Sequence, residues 1–317
     1  MSDAFAAYRD GELVAEQGDV DSPAVIMSGS KGLIAVSMLL LIDRGLLSLD
    51  DPVARHWPGF RDDVLVRHVV SHTSGVAGLQ PPPSAEEVFD DVAMEKRVEQ
   101  QEPFWPPGTT LAYHGLTFGW LCGGLVRRID GRTVGAFFAD EVARPLALEA
   151  WIGRPARQPA VLSGAAGYGF RGEPSPLLDA LYGPTMNGLL WKNLRVHEPE
   201  IPGVNAVATA RSVARLYDSL DRVLSADAIR LGRTELSRGT CAVTGGAYAF
   251  GAGFELQTEL GALGPPADAF GHTGSGGGSH GYWPTQRVGF SFLPTELRSD
   301  DTRATELLQE LYDALSD

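Results

Sequence analysis

The chain has 317 residues, 44% of them hydrophobic, which is enough for one large domain or two subdomains with a sizeable core. Its net charge of −14 and the lack of a basic cluster exclude nucleic acid and anionic membranes as expected partners. Cys122 and Cys241 form no metal or disulfide pattern, so we expect reduced thiols, no metal and no cofactor. The run "VSMLLLI" is too short to span a bilayer, and "MSDAFAAYRDGEL" lacks a secretory pattern. We therefore predict a cytoplasmic protein.

The first predicted elements are a β-hairpin and a buried helix. "DAFAAYRDGELVAEQGD" predicts two short strands around the turn Asp10-Gly11. The next apolar segment predicts a helix that begins at Ser30 and ends near Arg44, with Gly45 as its left-handed cap. Because this segment is apolar on nearly every side, we expect the helix to be buried.

The remaining elements predict one sheet built from both ends of the chain. Helical spacing continues to about residue 230, around an irregular Gly- and Pro-rich stretch at about 155–203 that shapes a pocket or only connects elements. After about residue 240 the pattern predicts three strands and a closing amphipathic helix. We therefore predict a single α+β domain over residues 1–317, with an antiparallel sheet and flanking helices. An α/β subdomain at about 1–30 and 235–317 would then carry an inserted all-helical subdomain at about 31–234.

Two serines precede a lysine in "MSGSKG". Ser28 is one helical turn before Lys31 and can share its face, whereas Ser30 cannot. A Ser-x-x-Lys match is expected about once by chance in a chain of this length, so a capping serine and a solvated lysine are the alternative. However, the chain has only three lysines, and this one opens the buried helix. A buried lysine can lose its proton and arginine cannot, which favours a catalytic pair.

Two later motifs supply candidate partners for Ser28. "GTTLAYHGLTFGW" places Tyr113 just before a predicted helix, and "FGHTGSGGG" places His272 on a predicted strand. Either residue alone is more often structural, but the order of the three motifs is far more specific. Nucleophilic catalysis by serine needs an activating base and donors for an oxyanion.

The order of these motifs resembles that of the serine β-lactamase and penicillin-binding-protein superfamily, on its class C and family VIII esterase side. That superfamily has three short sequence motifs, called boxes here. They match "SGSK" from Ser28, "YHG" from Tyr113 and "HTG" from His272. The stretches "LLSLDDPVARHWPGF", "VRHVVSHTSGV" and "ATARSVARLY" are also typical of it. The resemblance runs over about residues 5–300 and implies the β-lactamase/transpeptidase-like fold.

The resemblance and the chemistry imply the same roles. Ser28 is the nucleophile at a helix start, and Lys31 takes its proton or lowers the pKa of a partner. Tyr113 is the general base, kept anionic by Lys31, and His272 orients Tyr113 or a substrate carbonyl. By resemblance, the oxyanion hole consists of the backbone N–H groups of Ser28 and Ser275.

Two departures from the family pattern and the histidine of the third box bear on function. Gly115 ends the second box where β-lactamases have asparagine, and His272 replaces lysine in the third box beside Gly274. Both changes favour a carboxylesterase acting on small acyl esters through a Ser28 acyl-enzyme. The alternatives are an acyltransferase, a β-lactamase or D-peptidase-like hydrolase, and a non-catalytic binding protein. The helix that usually precedes the first strand is missing, so we expect a barer sheet face, a candidate homodimer interface.

Other histidines suggest weaker alternatives. His68 and His72 in "HVVSH" have the spacing of a zinc helix, but Val follows the first histidine where a metalloprotease has Glu. We therefore interpret both as structural. "GSGGGSHG" lacks the ending of a phosphate loop and predicts a hairpin turn, with His280, like His114, as a polar loop or pocket residue.

Overall fold

The computed structural model describes residues 3–84, 86–160, 162–163, 176–186, 198–299 and 301–316. Its strands are β1 Ala4–Arg9, β2 Glu12–Gln17, β3 Ala24–Val25, β4 Ala150–Trp151, β5 Val207–Ala208, β6 Ser237–Thr240, β7 Ala247–Phe250, β8 Glu255–Leu256, β9 Phe270–Gly274, β10 Gly278–Trp283 and β11 Val288–Leu293. Its α-helices are α1 Ser30–Asp43, α2 Val53–His56, α3 Val66–Val70, α4 Asp91–Gln100, α5 Thr117–Asp130, α6 Val134–Phe138, α7 Pro176–Met186, α8 Ala210–Asp218, α9 Ala226–Gly232 and α10 Arg303–Ser316. About half of the irregular stretch predicted at 155–203 lies outside the described residues, and the described part includes helix α7.

The main sheet joins the two ends of the chain, as predicted. Within the described residues, eight antiparallel strands follow the order β2-β1-β11-β10-β9-β8-β7-β6. Ala4 of β1 lies opposite Leu293 of β11. The predicted hairpin is confirmed, since Asp10 and Gly11 both have positive φ angles, 53° and 85°. Two residues with positive φ form the primed turn that suits the twist of a two-residue hairpin.

Helix α1 forms the centre of the molecule, on one face of the sheet. Leu33, Ile34 and Leu39 are fully buried in it, because the helix is apolar on all sides. It packs against α5, α6 and α9 as well as against β9. The helix ends at Asp43, and Gly45 follows with a φ of 68°. The predicted buried helix is therefore confirmed with its cap.

The opposite face of the sheet is covered by the C-terminal helix α10. Phe290 and Phe292 of β11 are buried against Leu308 and Leu311 of this helix, and Phe5 of β1 joins the same cluster. The expectation of a bare apolar face is therefore wrong for these strands, because α10 supplies the missing cover. A homodimer stays a prediction from the sequence.

A second, small sheet holds the segment in front of α1. Within the described residues it contains β3, β5 and β4, in that order. Beyond β3, the Ile26 N–H donates to the Ala206 carbonyl, at 3.0 Å. A 3-10 turn over Met27–Gly29 then leads directly into α1. This arrangement fixes where the nucleophile candidate Ser28 lies.

One predicted turn is partly a strand. The turn of "GSGGGSHG" covers residues 275–277, and β10 already begins at Gly278. His280 is therefore a fully buried strand residue, and not the expected loop residue. A Cβ on Gly281 would lie 2.6 Å from the Phe270 carbonyl oxygen, so the glycine permits close strand packing here. Among the described residues, no helix combines the length and apolar character required to cross a membrane.

Candidate active site

Ser28 lies at the start of the buried helix α1, and Ser30 has a different task. The Ser30 hydroxyl donates to the Met27 carbonyl at 2.5 Å and accepts from the Ala206 N–H at 3.0 Å. Ser30 is fully buried, whereas Ser28 keeps 8% of its surface exposed. Met27, just before the nucleophile candidate, has a φ of 51°, which costs conformational energy in a non-glycine residue. Ser30 therefore stabilises the turn, and Ser28 remains the candidate nucleophile.

Lys31 is fully buried beside Ser28, as expected from its place in the helix. Its Nζ lies 3.2 Å from Ser28 Oγ, 2.9 Å from the Gly115 carbonyl oxygen and 2.8 Å from the Gly203 carbonyl oxygen. Burial lowers the pKa of Lys31 from 10.5 to about 7, although the charge of Glu255 opposes this effect. A neutral amine can donate its two N–H groups to the carbonyls and direct its lone pair at the Ser28 hydroxyl.

Tyr113 completes a line of three side chains. It precedes α5, and its hydroxyl is hydrogen-bonded to Ser28. Lys31 Nζ lies 4.9 Å from the centre of its ring. Burial raises the pKa of Tyr113 well above its usual value of 10.0, against the lowering effect of its hydrogen bond to Ser28. The expected tyrosinate is therefore not favoured, because desolvation penalises the phenolate more than its hydrogen bond to Ser28 favours it.

His272 lies on β9 with its ring buried near Tyr113, at 6.1 Å between ring centres. Its Nδ1 is 2.7 Å from the Thr273 carbonyl oxygen and 3.5 Å from Glu255 Oε2. Because both neighbours are acceptors, Nδ1 carries the proton and Nε2 has only a lone pair. Burial, together with the charge of Lys31, lowers the pKa of His272 to about 3. A neutral Nε2 can accept a hydrogen bond from a hydroxyl such as that of Tyr113, but it cannot donate one to a substrate carbonyl. Of the two roles expected for His272, the orientation of a substrate carbonyl is therefore removed.

The end of β9 lies against the turn that carries Ser28. A Cβ on Gly274 would come within 2.8 Å of the Ile26 carbonyl oxygen and 3.6 Å of the Met27 side chain. Only glycine allows this approach, and it brings the next residue, Ser275, to the nucleophile turn. The two residues expected to form the oxyanion hole thus lie on neighbouring segments.

Gly115 and Gly203 have a role that the sequence analysis did not assign. The carbonyl of Gly115 accepts from Lys31 and so helps to position the amine. The carbonyl of Gly203 accepts from the same amine. A Cβ on Gly119 of α5 would collide with the Gly203 backbone. Glycine-to-glycine contact between these segments is a tertiary feature without a signal in the sequence.

A second group of missed residues holds the tyrosine loop in place. His72 Nδ1 accepts from the His114 N–H at 3.0 Å, and Ser74 Oγ is 2.7 Å from His114 Nε2. The Cys241 sulfur lies 3.3 Å from the Tyr113 backbone N–H, which donates to it. The motif "SHTSG", noted above only for its resemblance, was the available signal for His72 and Ser74. Cys241 gave none.

The predicted structural reading of the histidine pair agrees with these contacts. His72 Nδ1 is occupied by the His114 N–H, and His68 Nδ1 accepts from the Leu65 N–H at 3.2 Å. Among the residues that the structure describes, no group of three or more His, Cys, Asp or Glu side chains is placed to hold a metal ion.

Comparisons with known proteins match nearly the whole chain. The family model described as Beta-lactamase matches residues 2–313. The chain is 30% identical to the "Esterase/beta-lactamase LipL" of Mycobacterium tuberculosis, over 93% of this chain and 77% of that protein. Among solved structures, a penicillin-binding-protein homolog from Caulobacter crescentus gives a TM-score of 0.90 at 28% identity, covering 99% of this chain and 92% of the other. A family VIII carboxylesterase gives a TM-score of 0.87 at 24% identity with the same coverage, a likeness in fold alone.

Proposed function

The chain belongs to the beta-lactamase family and is a serine hydrolase, and from this premise we propose that it is a carboxylesterase acting on small acyl esters through a Ser28 acyl-enzyme. The observation that carries the proposal is the environment of Lys31. Its amine lies within hydrogen-bond distance of Ser28 and of two backbone carbonyls, and burial lowers its pKa to about 7. A base with a pKa near the working pH suits general-base catalysis.

Acylation follows from this arrangement. The Ser28 oxygen attacks the ester carbonyl carbon while its proton moves to the Lys31 lone pair. The resulting ammonium has three N–H groups for the three oxygens around it. When the ester C–O bond breaks, the proton passes through the neutral Tyr113 hydroxyl to the leaving alkoxide. Water then attacks the acyl carbon along the reverse path and releases the acid, restoring Ser28.

The negative charge that develops on the substrate oxygen needs donors at the helix start. We assign the backbone N–H groups of Ser28 and Ser275 to this role, and the N-terminus of the 14-residue helix α1 adds its dipole. Such donors act on any ester, whatever its side groups.

The substrate preference rests on Gly115 and His272. Gly115 has no side chain to read an amide, and His272, with a pKa of about 3, has no charge to bind a carboxylate. Both features remove contacts that a penicillin or cephalosporin would use.

Labelling with a fluorophosphonate, followed by intact-mass measurement, tests the nucleophile. We expect wild type and Ser30→Ala to gain the mass of the probe and Ser28→Ala to remain unmodified. The Ser30 variant is the matched control because its hydroxyl lies two residues away in the same turn. Labelling that persists in Ser28→Ala would exclude this serine as the nucleophile.

Comparison of kcat/KM for p-nitrophenyl acetate and for nitrocefin tests the substrate class. We expect ester cleavage to be faster and to fall on the acid side with an apparent pKa near 7, where Lys31 takes up a proton. A nitrocefin value equal to or above the ester value would assign a β-lactamase instead.

A further inference from the structure

Glu255 fills a gap beside the third box. Strand β8 has only two residues, and its pairing with β9 ends where Glu255 meets Gly271. Beyond Gly271, the backbone of β9 is no longer paired with β8. The Glu255 carboxylate takes the place of a strand there: its Oε2 accepts from both the N–H and the hydroxyl of Thr273, each at 2.8 Å. The side chain thus anchors the end of β9, two residues before Ser275.

Glu255 is also the counter-charge of Lys31. Titratable groups from several elements surround the Lys31 amine. The strands contribute Glu255 from β8 and His272 from β9, and helix α5 contributes Cys122. The loops contribute Tyr113 and His114, before α5, and His72, after α3. Burial raises the pKa of the thiol and the phenol and lowers the pKa of the three imidazoles, so all five are neutral near pH 7. On balance burial raises the pKa of Glu255, and the two hydrogen bonds from Thr273 and the charge of Lys31 oppose this effect and favour its ionised form. Within the described residues, Glu255 is therefore the group facing Lys31 that can be an anion.

We propose that Glu255 is a positioning residue of the esterase site, whose carboxylate anchors the end of β9 and stabilises the ammonium formed when Lys31 takes the Ser28 proton. This inference rests on the proposed function, since it needs Ser28 as the nucleophile and Lys31 as its base. The buried negative charge acts through Lys31 and does not touch the substrate. It lowers the free energy of the charged form of the base at the moment when that form appears.

The test is the pH dependence of Ser28 modification by a fluorophosphonate, followed by intact mass, in wild type and in Glu255→Gln. Glutamine keeps an oxygen acceptor for Thr273 but removes the charge. The acid limb is the part of the pH–rate profile in which the labelling rate falls as Lys31 takes up a proton. A nearby opposite charge shifts a pKa by roughly 1–3 units, so we expect the acid limb to move to lower pH by about one unit or more. The plateau rate should fall roughly 3–10-fold, because a weaker base removes the Ser28 proton more slowly.

The chain offers a matched control in Glu200. This partly buried carboxylate also accepts from a threonine hydroxyl, that of Thr133 at 2.5 Å, and from a backbone N–H, that of Gly135 at 3.1 Å. The main charges that act on it are those of Asp91 and Arg127. Glu200→Gln should therefore keep the wild-type acid limb.

A conservative variant separates charge from packing. Glu255→Asp keeps the anion, so its acid limb should stay within about half a unit of wild type even if its rate is lower. An acid limb that does not move in Glu255→Gln overturns the inference. If that variant does not fold, an Asp variant whose limb moves down by a full unit overturns it equally. Wild-type protein that is not labelled at any pH would instead refute the Ser28 nucleophile of the proposed function, and this inference with it.

Discussion

Replacing Lys31 by methionine should change how the free energy of unfolding depends on pH. Burial lowers the pKa of this fully buried amine from 10.5 to about 7. Between these two values the unfolded chain binds a proton that the folded chain does not bind, so wild-type stability rises with pH. At about 1.4 kcal/mol per pH unit, and with Lys31 half protonated near pH 7, the gain between about pH 7 and 9 is about 2 kcal/mol. Methionine has no proton to lose and should not show this gain.

Urea unfolding of both proteins near pH 7 and near pH 9 measures the effect. At each pH, the free energy of unfolding of Lys31→Met is subtracted from that of wild type. The prediction concerns how much this difference changes between about pH 7 and 9. Methionine also leaves the carbonyls of Gly115 and Gly203 without their donor, but that loss is the same at both pH values and cancels. Other groups that titrate in this range are shared by both proteins and cancel as well.

The reasoning has a clear point of failure. If the difference between wild type and Lys31→Met changes by less than about 0.5 kcal/mol between the two pH values, the pKa of Lys31 is not lowered in the folded state. A difference that changes in the opposite direction would mean that the fold stabilises the ammonium. Either result removes the neutral amine on which the proposed acylation step depends.

Three further substitutions, one of them with a matched control variant, test the surroundings of the site. Gly29→Ala would place a Cβ 2.8 Å from Nε2 of the His280 ring, so we expect a loss of about 1–3 kcal/mol and slower ester cleavage. Gly123→Ala, whose Cβ would come no closer than 3.5 Å to a neighbour, is the control and should melt at or above the wild-type temperature. Cys241→Ala removes the acceptor of the Tyr113 N–H and should lower both the melting temperature and kcat; unchanged kcat would show that this contact does not position the loop. Tyr113→Phe keeps the ring but not the hydroxyl, so kcat should fall by about 10²-fold with little change in melting temperature, and near-normal turnover would exclude Tyr113 from the proton path.

Much of the site could be predicted because its signals are local. The one-turn spacing of Ser28 and Lys31 distinguishes Ser28 from Ser30 as the candidate nucleophile without any tertiary information, and the all-apolar helix predicts that the lysine is buried. The turn at Asp10-Gly11 was predictable for the same reason, since the two residues that it requires are adjacent in the sequence.

The parts that were missed depend on contacts between distant segments. Strand β10 begins at Gly278 and contains Gly281, and glycine there reflects close packing and not strand propensity. Glu255 reads as the polar face of a short strand, and its proximity to Lys31 appears only after β8 and β9 have paired. The neutral state of Tyr113 depends on how deeply its loop is buried, which spacing along the chain does not express.

The pairing of β1 with β11 has a consequence for how the protein is made. About 280 residues separate the two strands, and at roughly 5–20 residues per second a ribosome needs on the order of 15–60 s between them. Throughout that time the hairpin of β1 and β2 has no partner on its inner edge, and neither His272 nor Ser275 has yet joined the turn of Ser28. The site therefore assembles late in synthesis, from contacts of high sequence separation that make folding slow. Until then, the charged residues of the hairpin, Arg9, Glu12 and Glu16, oppose pairing of its open edge with other chains.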